Sequence, residues 1–166
     1  SGVAMVQQEL NQALNRSVAE NMWMGRYPSK FSFSPFVSDG EARRKTREIF
    51  DSLGIEANPK EKMSRLSVSK RQMIEIAKAV SFGARVIVFD EPTSSLTEPE
   101  AERLFEIINS LKKHGCGIIY ISHKMEEILR ISDEITVMRD GKTVASRQAK
   151  EMSVSEIIRL MVGREL

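Results

Sequence analysis

Two short runs of consecutive apolar residues constrain the fold of this chain more than any other feature. They are Val86–Phe89 and Gly117–Ile121, and in neither run do polar residues alternate with the apolar ones. Strands that are buried on both faces of a parallel sheet have this pattern. Between the two runs, residues 99–114 carry apolar positions at helical spacing. The sequence therefore predicts a right-handed strand–helix–strand unit of an α/β fold.

Local start and stop signals predict the ends of three helices. Thr97 and Glu100 form a capping box at the start of the helix between the two strands. Ser122 is expected to cap a helix that begins near His123. Ser153, with a glutamate three residues later, is expected to begin the last helix of the chain.

A β-hairpin is predicted near the end of the chain. Asp140-Gly141 is a strong two-residue turn signal, and it separates residues 134–138 from residues 142–145. The first half contains one predicted strand, Val3–Val6, and is otherwise helix-prone. In that half, helices are predicted at residues 41–53 and 69–80, so a helical region precedes the sheet.

Composition limits the class of protein. The chain has 166 residues with 25 Lys and Arg against 23 Asp and Glu, a formal net charge of +2. This length predicts one domain, and the small net charge does not favour bulk binding of nucleic acid. Cys116 is the only cysteine, which fits a reducing compartment. No apolar run approaches the roughly 20 residues of a membrane helix, so we expect a soluble, cytosolic domain.

Two adjacent carboxylates, Asp90 and Glu91, follow the first apolar strand directly. Ligands bind at the carboxyl edge of a parallel sheet, and the side chains of successive residues diverge there. One carboxylate can therefore hold Mg²⁺ while the other polarises an attacking water. The alternative is a polar strand end that leads into a turn at Pro92, with no function.

Two further segments have side chains that suit a phosphate. Residues 66–69 run into a predicted helix, where Ser67 and Ser69 expose hydroxyl groups near the positive helix end. An ordinary serine N-cap is the alternative. His123 follows the second apolar strand and is placed to donate a hydrogen bond to a terminal phosphate, although a surface histidine would look the same.

Taken in order, these segments resemble the nucleotide-binding domain of ABC transporters. LSVSKRQMIEIAKAV (residues 66–80) is similar to the family signature and its helix, and VIVFDEPT (residues 86–93) is similar to the Walker B strand with its catalytic glutamate. SSLT (residues 94–97) looks like the D-loop. Gln8 looks like the Q-loop glutamine and His123 like the switch histidine.

A closer resemblance is to the first half of carbohydrate-importer ATPases of the galactose/methyl-galactoside type, with ribose or xylose importers next. MVQQEL, NMWMGRYP, DEPTSSLTE, GCGIIYISHKMEEI and MVGREL carry it. The resemblance implies an α/β fold, a partial P-loop NTPase (RecA-like) three-layer core with an inserted α-helical subdomain. It divides the chain into a Q-loop strand (residues 1–10), a helical subdomain (residues 11–81) and the RecA-like core (residues 82–166).

The resemblance also implies a set of site residues, with ATP and Mg²⁺ as cofactors. Each residue takes its role from the position that it matches in the family's motifs. The implied catalytic residues are Glu91, His123 and Gln8; the nucleotide-binding residues are Ser67, Val68, Ser69, Lys70 and Ser95; the metal ligands are Asp90 and Gln8.

Two departures from the family pattern matter. No segment reads G-x-x-x-x-G-K-[ST], the P-loop that cradles phosphates. Gly141-Lys142-Thr143 does not supply it, because Thr136 stands five residues earlier and the turn belongs to a hairpin. The family places the P-loop upstream of the first strand, so we expect a fragment of the first ATPase domain, which on its own is inactive and binds ATP weakly. Val68 and Ser69 also replace the two signature glycines.

The resemblance implies partners as well. These are a second ATPase domain in a head-to-tail pair, transmembrane permease subunits that dock on the helical subdomain, and indirectly a periplasmic or extracellular sugar-binding protein. The location would be the cytoplasmic face of a bacterial membrane, as a peripheral subunit. An aromatic cluster is either part of the docking surface or a small satellite core; its members are Trp23, Tyr27, Phe31, Phe33 and Phe36.

No nucleic-acid partner is expected. The basic cluster Arg43, Arg44, Lys45 and Arg47 is interpreted as a solvated helix face. Two rival functions stay open at this point. The first is a non-catalytic interaction fragment, and the second is an ATPase of nucleic-acid metabolism, because Asp-Glu-Pro-Thr superficially resembles a helicase motif.

Overall fold

The computed structural model describes residues 2–8, 10–28 and 38–163, which belong to two compact units, Ser1–Ile119 and Tyr120–Leu166. The elements of the first unit are β1 (Val3–Val6), α1 (Val18–Trp23), α2 (Asp39–Leu53), α3 (Val68–Val80), β2 (Val86–Asp90) and α4 (Glu98–Lys113). The unit boundary falls within β3 (Gly117–Ile121). The second unit contains α5 (Met125–Ile131), β4 (Glu134–Arg139), β5 (Lys142–Gln148) and α6 (Val154–Val162).

The predicted strands form one sheet with the order β1-β2-β3. Strand β1 runs parallel to β2, with Val3 paired to Val86 and Val6 paired to Phe89. The amide of Gly117, the first residue of β3, donates to the carbonyl of Arg85, just before β2 begins. The parallel β1–β2 pair therefore places the carboxyl ends of both strands at the same edge of the sheet.

The prediction that Val86–Phe89 and Gly117–Ile121 are buried on both faces is wrong, most clearly for Gly117–Ile121, where Ile119 and Ile121 are exposed. Ile87 and Phe89 are buried, but Val3 is 60% exposed, Met5 51% and Ile119 52%. Successive side chains point to opposite faces of a strand. In the described part of the chain, one face of the sheet is covered and the other is exposed. The continuous apolar pattern therefore places apolar side chains on the exposed face as well as on the covered one.

The helical region has a core of its own. Helices α1, α2 and α3 pack around a fully buried cluster that also takes in the short turn Met63–Arg65. Its buried members are Val18, Met22, Phe50, Met63, Ile74 and Ala77. The division of the chain at residues 10/11 and 81/82 stays a prediction.

The aromatic cluster divides between core packing and residues outside the described ranges. Trp23 packs partly buried against the helical core, and its Nε1 donates to the carbonyl of Ala42 and to Oγ1 of Thr46. Burial, followed by the hydrogen bond to Asp39, raises the pKa of Tyr27 to about 12. Trp23 thus follows the satellite-core interpretation. Phe31, Phe33 and Phe36 lie outside the described residues.

Most helix caps lie at the predicted residues, and Ser122 is the exception. Helix α5 begins at Met125, with Lys124 as its N-cap, rather than near His123 with Ser122 as its cap. The Oγ of Ser122 instead accepts from the backbone amide of Lys124 at 3.0 Å. A serine that bonds the amide two residues later forms a turn of its own, which delays the helix.

The hairpin in the second unit is confirmed. Asp140 and Gly141 have φ values of 52° and 75°, as a two-residue turn with both residues left-handed requires. Lys142 and Thr143 therefore begin β5, and Gly141-Lys142-Thr143 is not a phosphate loop. Helix α6 is capped by Ser153 and packs on the hairpin through a small apolar cluster of this unit.

The end of α2 is fixed by a glycine that contacts α4. Gly54 has a φ of 62°, and a Cβ added there would collide with the guanidinium of Arg103. That guanidinium cannot retreat freely, because Arg103 Nε donates to the carbonyl of Leu53 at 2.8 Å and its Nη1 pairs with Glu106.

We expect Gly54→Ala to lower the free energy of unfolding by about 1–3 kcal/mol, because the left-handed backbone is strained with a side chain and the Arg103 bond is disturbed. Urea unfolding followed by circular dichroism measures it. The matched control is Gly83→Ala, where φ is 59° but no atom lies within 4 Å of the added Cβ. Equal losses in the two variants would mean that the Arg103 contact contributes nothing.

Candidate functional site at the carboxyl edge of the sheet

Gln8 and the two acidic residues emerge at the same edge of the sheet. Val6 of β1 pairs with Phe89 of β2. Gln8 lies two residues beyond Val6, and Glu91 lies two residues beyond Phe89, so the two residues leave neighbouring strands at the same level. Gln8 is exposed, whereas Asp90 and Glu91 are half-buried. The structure thus brings three of the predicted site residues to neighbouring strand ends.

Glu91 has an unusual backbone. Its φ is +49°, and only one other described residue that is not glycine, Asp140 of the hairpin turn, has a positive φ. Such a conformation costs a residue with a side chain about 1–2 kcal/mol and is found at functional sites and in tight turns. The amide of Ser94 donates to the Glu91 carbonyl at 3.2 Å, and Pro92 and Thr93 are buried behind it. The loop therefore holds Glu91 in place against its backbone preference.

The donor atoms at this edge suit a hard cation. Gln8, Asp90 and Glu91 offer only oxygen ligands, which Mg²⁺ prefers. No cluster of three or more His, Cys, Asp or Glu among the described residues is arranged to hold a metal. This set fits Mg²⁺, since that ion is commonly held by one or two protein oxygens together with phosphate.

The serine segment lies at the start of α3, as predicted. Ser67 is the N-cap, and its Oγ accepts from the amide of Lys70 at 3.2 Å. The hydroxyl groups of Ser67 and Ser69 are 3.1 Å apart and hydrogen-bonded. Val68, the first helical residue, is 50% exposed. Both interpretations of the segment survive, since these contacts make a good cap and also display the helix end.

Glu100 connects the serine segment to α4, which sequence reasoning did not anticipate. Its carboxylate accepts from the amide of Thr97 at 2.9 Å and from the Thr97 hydroxyl at 2.7 Å. Burial alone would raise the pKa of Glu100. The hydrogen bonds from Thr97 and from the Ser69 hydroxyl, with the charge of Lys70, nevertheless bring that pKa below its ordinary value. The capping box predicted for Glu100 was the only available signal.

Ser95 and His123 occupy the predicted loops, and their roles stay predictions. Ser95 is half-buried in the turns between β2 and α4. His123 is exposed, follows β3 and belongs to the second unit.

The basic residues of α2 face acidic residues of the same helix. Arg43 pairs with Asp39, Arg44 with Glu41 and Glu48, and Lys45 with Glu41. This arrangement supports the solvated-face interpretation. No helix in the described part of the chain is long and apolar enough to cross a membrane.

The fold is that of an ATP-binding cassette. The sequence profile described as "ABC transporter" matches residues 1–94, and this chain belongs to the ABC transporter family. The fold agrees with that of a solved ATP-binding cassette, in a dimeric post-hydrolysis state bound to ADP and Pi. The two chains are 20% identical with a TM-score of 0.76, and the match covers 90% of this chain and 63% of the cassette.

Among curated proteins, the chain is similar to those named galactose/methyl galactoside import ATP-binding protein MglA. It is 57% identical to the protein from Clostridium perfringens and 52% identical to the one from Escherichia coli K12, in both cases over all 166 residues. The chain spans only 32% of the length of each of these relatives.

We expect Glu100→Gln to lower the melting temperature at neutral pH. The pKa of Glu100 lies below its ordinary value of 4.5 in the folded protein. The carboxylate therefore stabilises the fold above that value, and this contribution is lost as the pH falls below 4.5. Thermal melts at neutral and acidic pH should show a difference that narrows in acid.

The matched control for this prediction is Glu98→Gln. Glu98 shares the first turn of α4 and is exposed, so it senses the helix dipole without the Thr97 and Ser69 hydrogen bonds. If the two variants melt alike at neutral pH, the hydrogen bonds of Glu100 add nothing beyond the dipole.

Proposed function

We propose that this chain is part of the ATP-hydrolysing subunit of an ABC-type carbohydrate importer, which carries galactose or methyl galactosides. The observation that carries the proposal is Glu91, held with a φ of +49° at the carboxyl end of β2, beside the strand that leads to Gln8. Membership of the ABC transporter family supports ATP hydrolysis. The names of relatives 52–57% identical over the whole chain support the class of sugar.

In this proposal, the residues at the sheet edge divide the work of hydrolysis. Glu91 orients the attacking water and accepts its proton as general base. Asp90 and Gln8 would hold Mg²⁺, which when bound neutralises charge on the phosphate oxygens. His123 donates a hydrogen bond to the terminal phosphate. Since Glu91 is half-buried, its carboxylate is partly shielded from bulk water.

The start of α3 and the loop before α4 serve a second nucleotide. We assign Ser67, Val68, Ser69, Lys70 and Ser95 to contacts with ATP that the partner ATPase domain holds. The β-branched side chain of Val68, 50% exposed at the helix start, keeps a phosphate further from the backbone than glycine would. Lys70 lies close enough to Glu100 to lower its pKa, so part of its charge is already compensated. This half of the pair should therefore stimulate its partner site weakly.

The same proposal assigns the partners and the location. A second ATPase domain pairs head to tail, and permease subunits dock on the helical subdomain. A periplasmic or extracellular sugar-binding protein acts through the permease. The subunit works at the cytoplasmic face of a bacterial membrane.

Glu91→Gln in the full-length protein should reduce ATP turnover by roughly 100-fold or more, because the amide cannot accept the proton of the attacking water. ATP binding should persist, since an amide oxygen still faces the site. The second ATPase domain is inactivated first, so that turnover reports on this half alone. Phosphate release and nucleotide binding are measured on the same preparation.

Glu48→Gln is the control, because Glu48 is an exposed carboxylate of α2 that pairs with Arg44 of the same helix. It should turn over ATP like the unmodified protein. Full turnover in the Glu91→Gln protein would refute the role of Glu91 as general base.

A polypeptide of these 166 residues should bind ATP weakly, because no G-x-x-x-x-G-K-[ST] segment is present to cradle the phosphates. Titration of a fluorescent ATP analogue with Mg²⁺ measures the affinity, and we expect no saturation in the micromolar range. A low-micromolar dissociation constant would contradict this prediction.

A further inference from the structure

The side chain of Gln12 fastens the segment after Gln8 to helix α3. Its Nε2 donates to the backbone carbonyl of Arg71 at 2.9 Å and to Oε1 of Glu75 at 3.0 Å. An amide nitrogen has two hydrogens, so both are used on successive turns of one helix. The opposite amide orientation would set an oxygen against a carbonyl and a carboxylate, so chemistry fixes this orientation.

Burial of the oxygen of the Gln12 amide lowers the stability of the fold. The Gln12 Oε1 is buried and has no hydrogen-bond partner among the described residues. A buried unpaired oxygen destabilises a fold, whereas a methionine of similar shape would fill the space without it. Stability alone therefore does not account for a glutamine at this position. The directed pair of Nε2 hydrogen bonds is what a glutamine adds.

Hydrogen bonds anchor the residues from Gln12 to Leu14 to the helical region. The amide of Ala13 donates to Oδ1 of Asn21, a buried residue of α1, and the Ala13 carbonyl accepts from Nδ2 of Asn21. The Leu14 carbonyl accepts from the amide of Ser64 at 3.0 Å. Asn11, just before Gln12, donates an exposed 3.4 Å hydrogen bond from its side chain to Gln7. Gln12 is thus the described residue after Gln8 whose side chain hydrogen-bonds to helix α3.

The point that Gln12 holds on α3 lies next to the predicted signature residues. Helix α3 begins at Val68, and Arg71, whose carbonyl accepts from Gln12, directly follows Lys70. Helix α3 runs without interruption from Val68 to Val80, so Arg71 and the first signature residues of the helix belong to one element. The Gln12 contact therefore transfers a shift of the Gln8 segment to the orientation of residues 67–70.

We propose that Gln12 is a positioning residue that makes the orientation of Ser67–Lys70 depend on the contacts of Gln8. The inference rests on the proposed function, in which Gln8 faces one nucleotide and residues 67–70 face the nucleotide of the partner domain. Gln12 touches neither nucleotide. It couples the two sites through α3.

The test uses Gln12→Met in the full-length protein, with hydrogen–deuterium exchange of the amides of residues 68–75 measured with and without ATP. In the unmodified protein, ATP should change this exchange. In the variant, ATP affinity and melting temperature should stay close to those of the unmodified protein. The ATP-dependent change in exchange should disappear, and kcat should fall about tenfold, because residues 67–70 no longer follow the state of the first site and are misplaced at the second.

Two further variants separate positioning from folding. Asn11→Ala removes the neighbouring exposed hydrogen bond and should keep the full ATP response. Glu75→Gln retains an acceptor oxygen for Gln12 and should also keep it, whereas Glu75→Met should lose it. A purely structural role would lower the melting temperature of Gln12→Met without separating these variants in their ATP response.

The outcomes distinguish the two proposals. An unmodified protein that hydrolyses ATP but shows no change in exchange at residues 68–75 overturns the role of Gln12 and leaves the proposed function standing. A Gln12→Met protein with an intact response does the same. An unmodified full-length protein that neither binds nor hydrolyses ATP overturns the proposed function, and the role of Gln12 with it.

Discussion

The parallel pairing of β1 with β2 is the constraint on which the site depends. The two strands are far apart in sequence, and their register, Val6 opposite Phe89, sets Gln8 beside the acidic pair. A slip of one residue would turn the buried Ile87 and Phe89 to the open face and displace Glu91 relative to Gln8. The burial of these two apolar side chains thus determines where the carboxylates lie.

Polar side chains from the segments that follow β1 and β2 both lie against helix α3. Gln12 follows β1 and bonds to the Arg71 carbonyl and to Glu75, while Glu100 follows β2 and lies close enough to Ser69 and Lys70 for both to lower its pKa. Each contact therefore relates the start of α3 to the end of one strand. The carboxyl edge of the sheet and the start of α3 are mechanically joined, although the strand ends and the helix start are separate in sequence.

Local signals made much of this fold predictable. Turn and cap residues such as Asp140, Gly141, Ser67 and Thr97 act on neighbours within a few positions, and the structure places them as predicted. The exposed face of the sheet and the connection that Glu100 makes between the serine segment and α4 were not predicted, because both depend on segments remote in sequence. Gln12 carries no motif at all, since only the folded chain shows which helix it reaches.

The serine hydroxyl groups limit the start of α3 as an anion site. The hydroxyls of Ser67 and Ser69 are 3.1 Å apart and hydrogen-bonded, so one of the two donates its only hydrogen to the other. The Ser67 Oγ also accepts from the amide of Lys70, which uses one of the first backbone N–H groups of the helix. An anion here would be met by the remaining first N–H groups of α3 and by the one hydroxyl whose hydrogen is not used between the serines. The bond between the two serines therefore determines how many hydroxyl groups the substituted signature offers to a nucleotide.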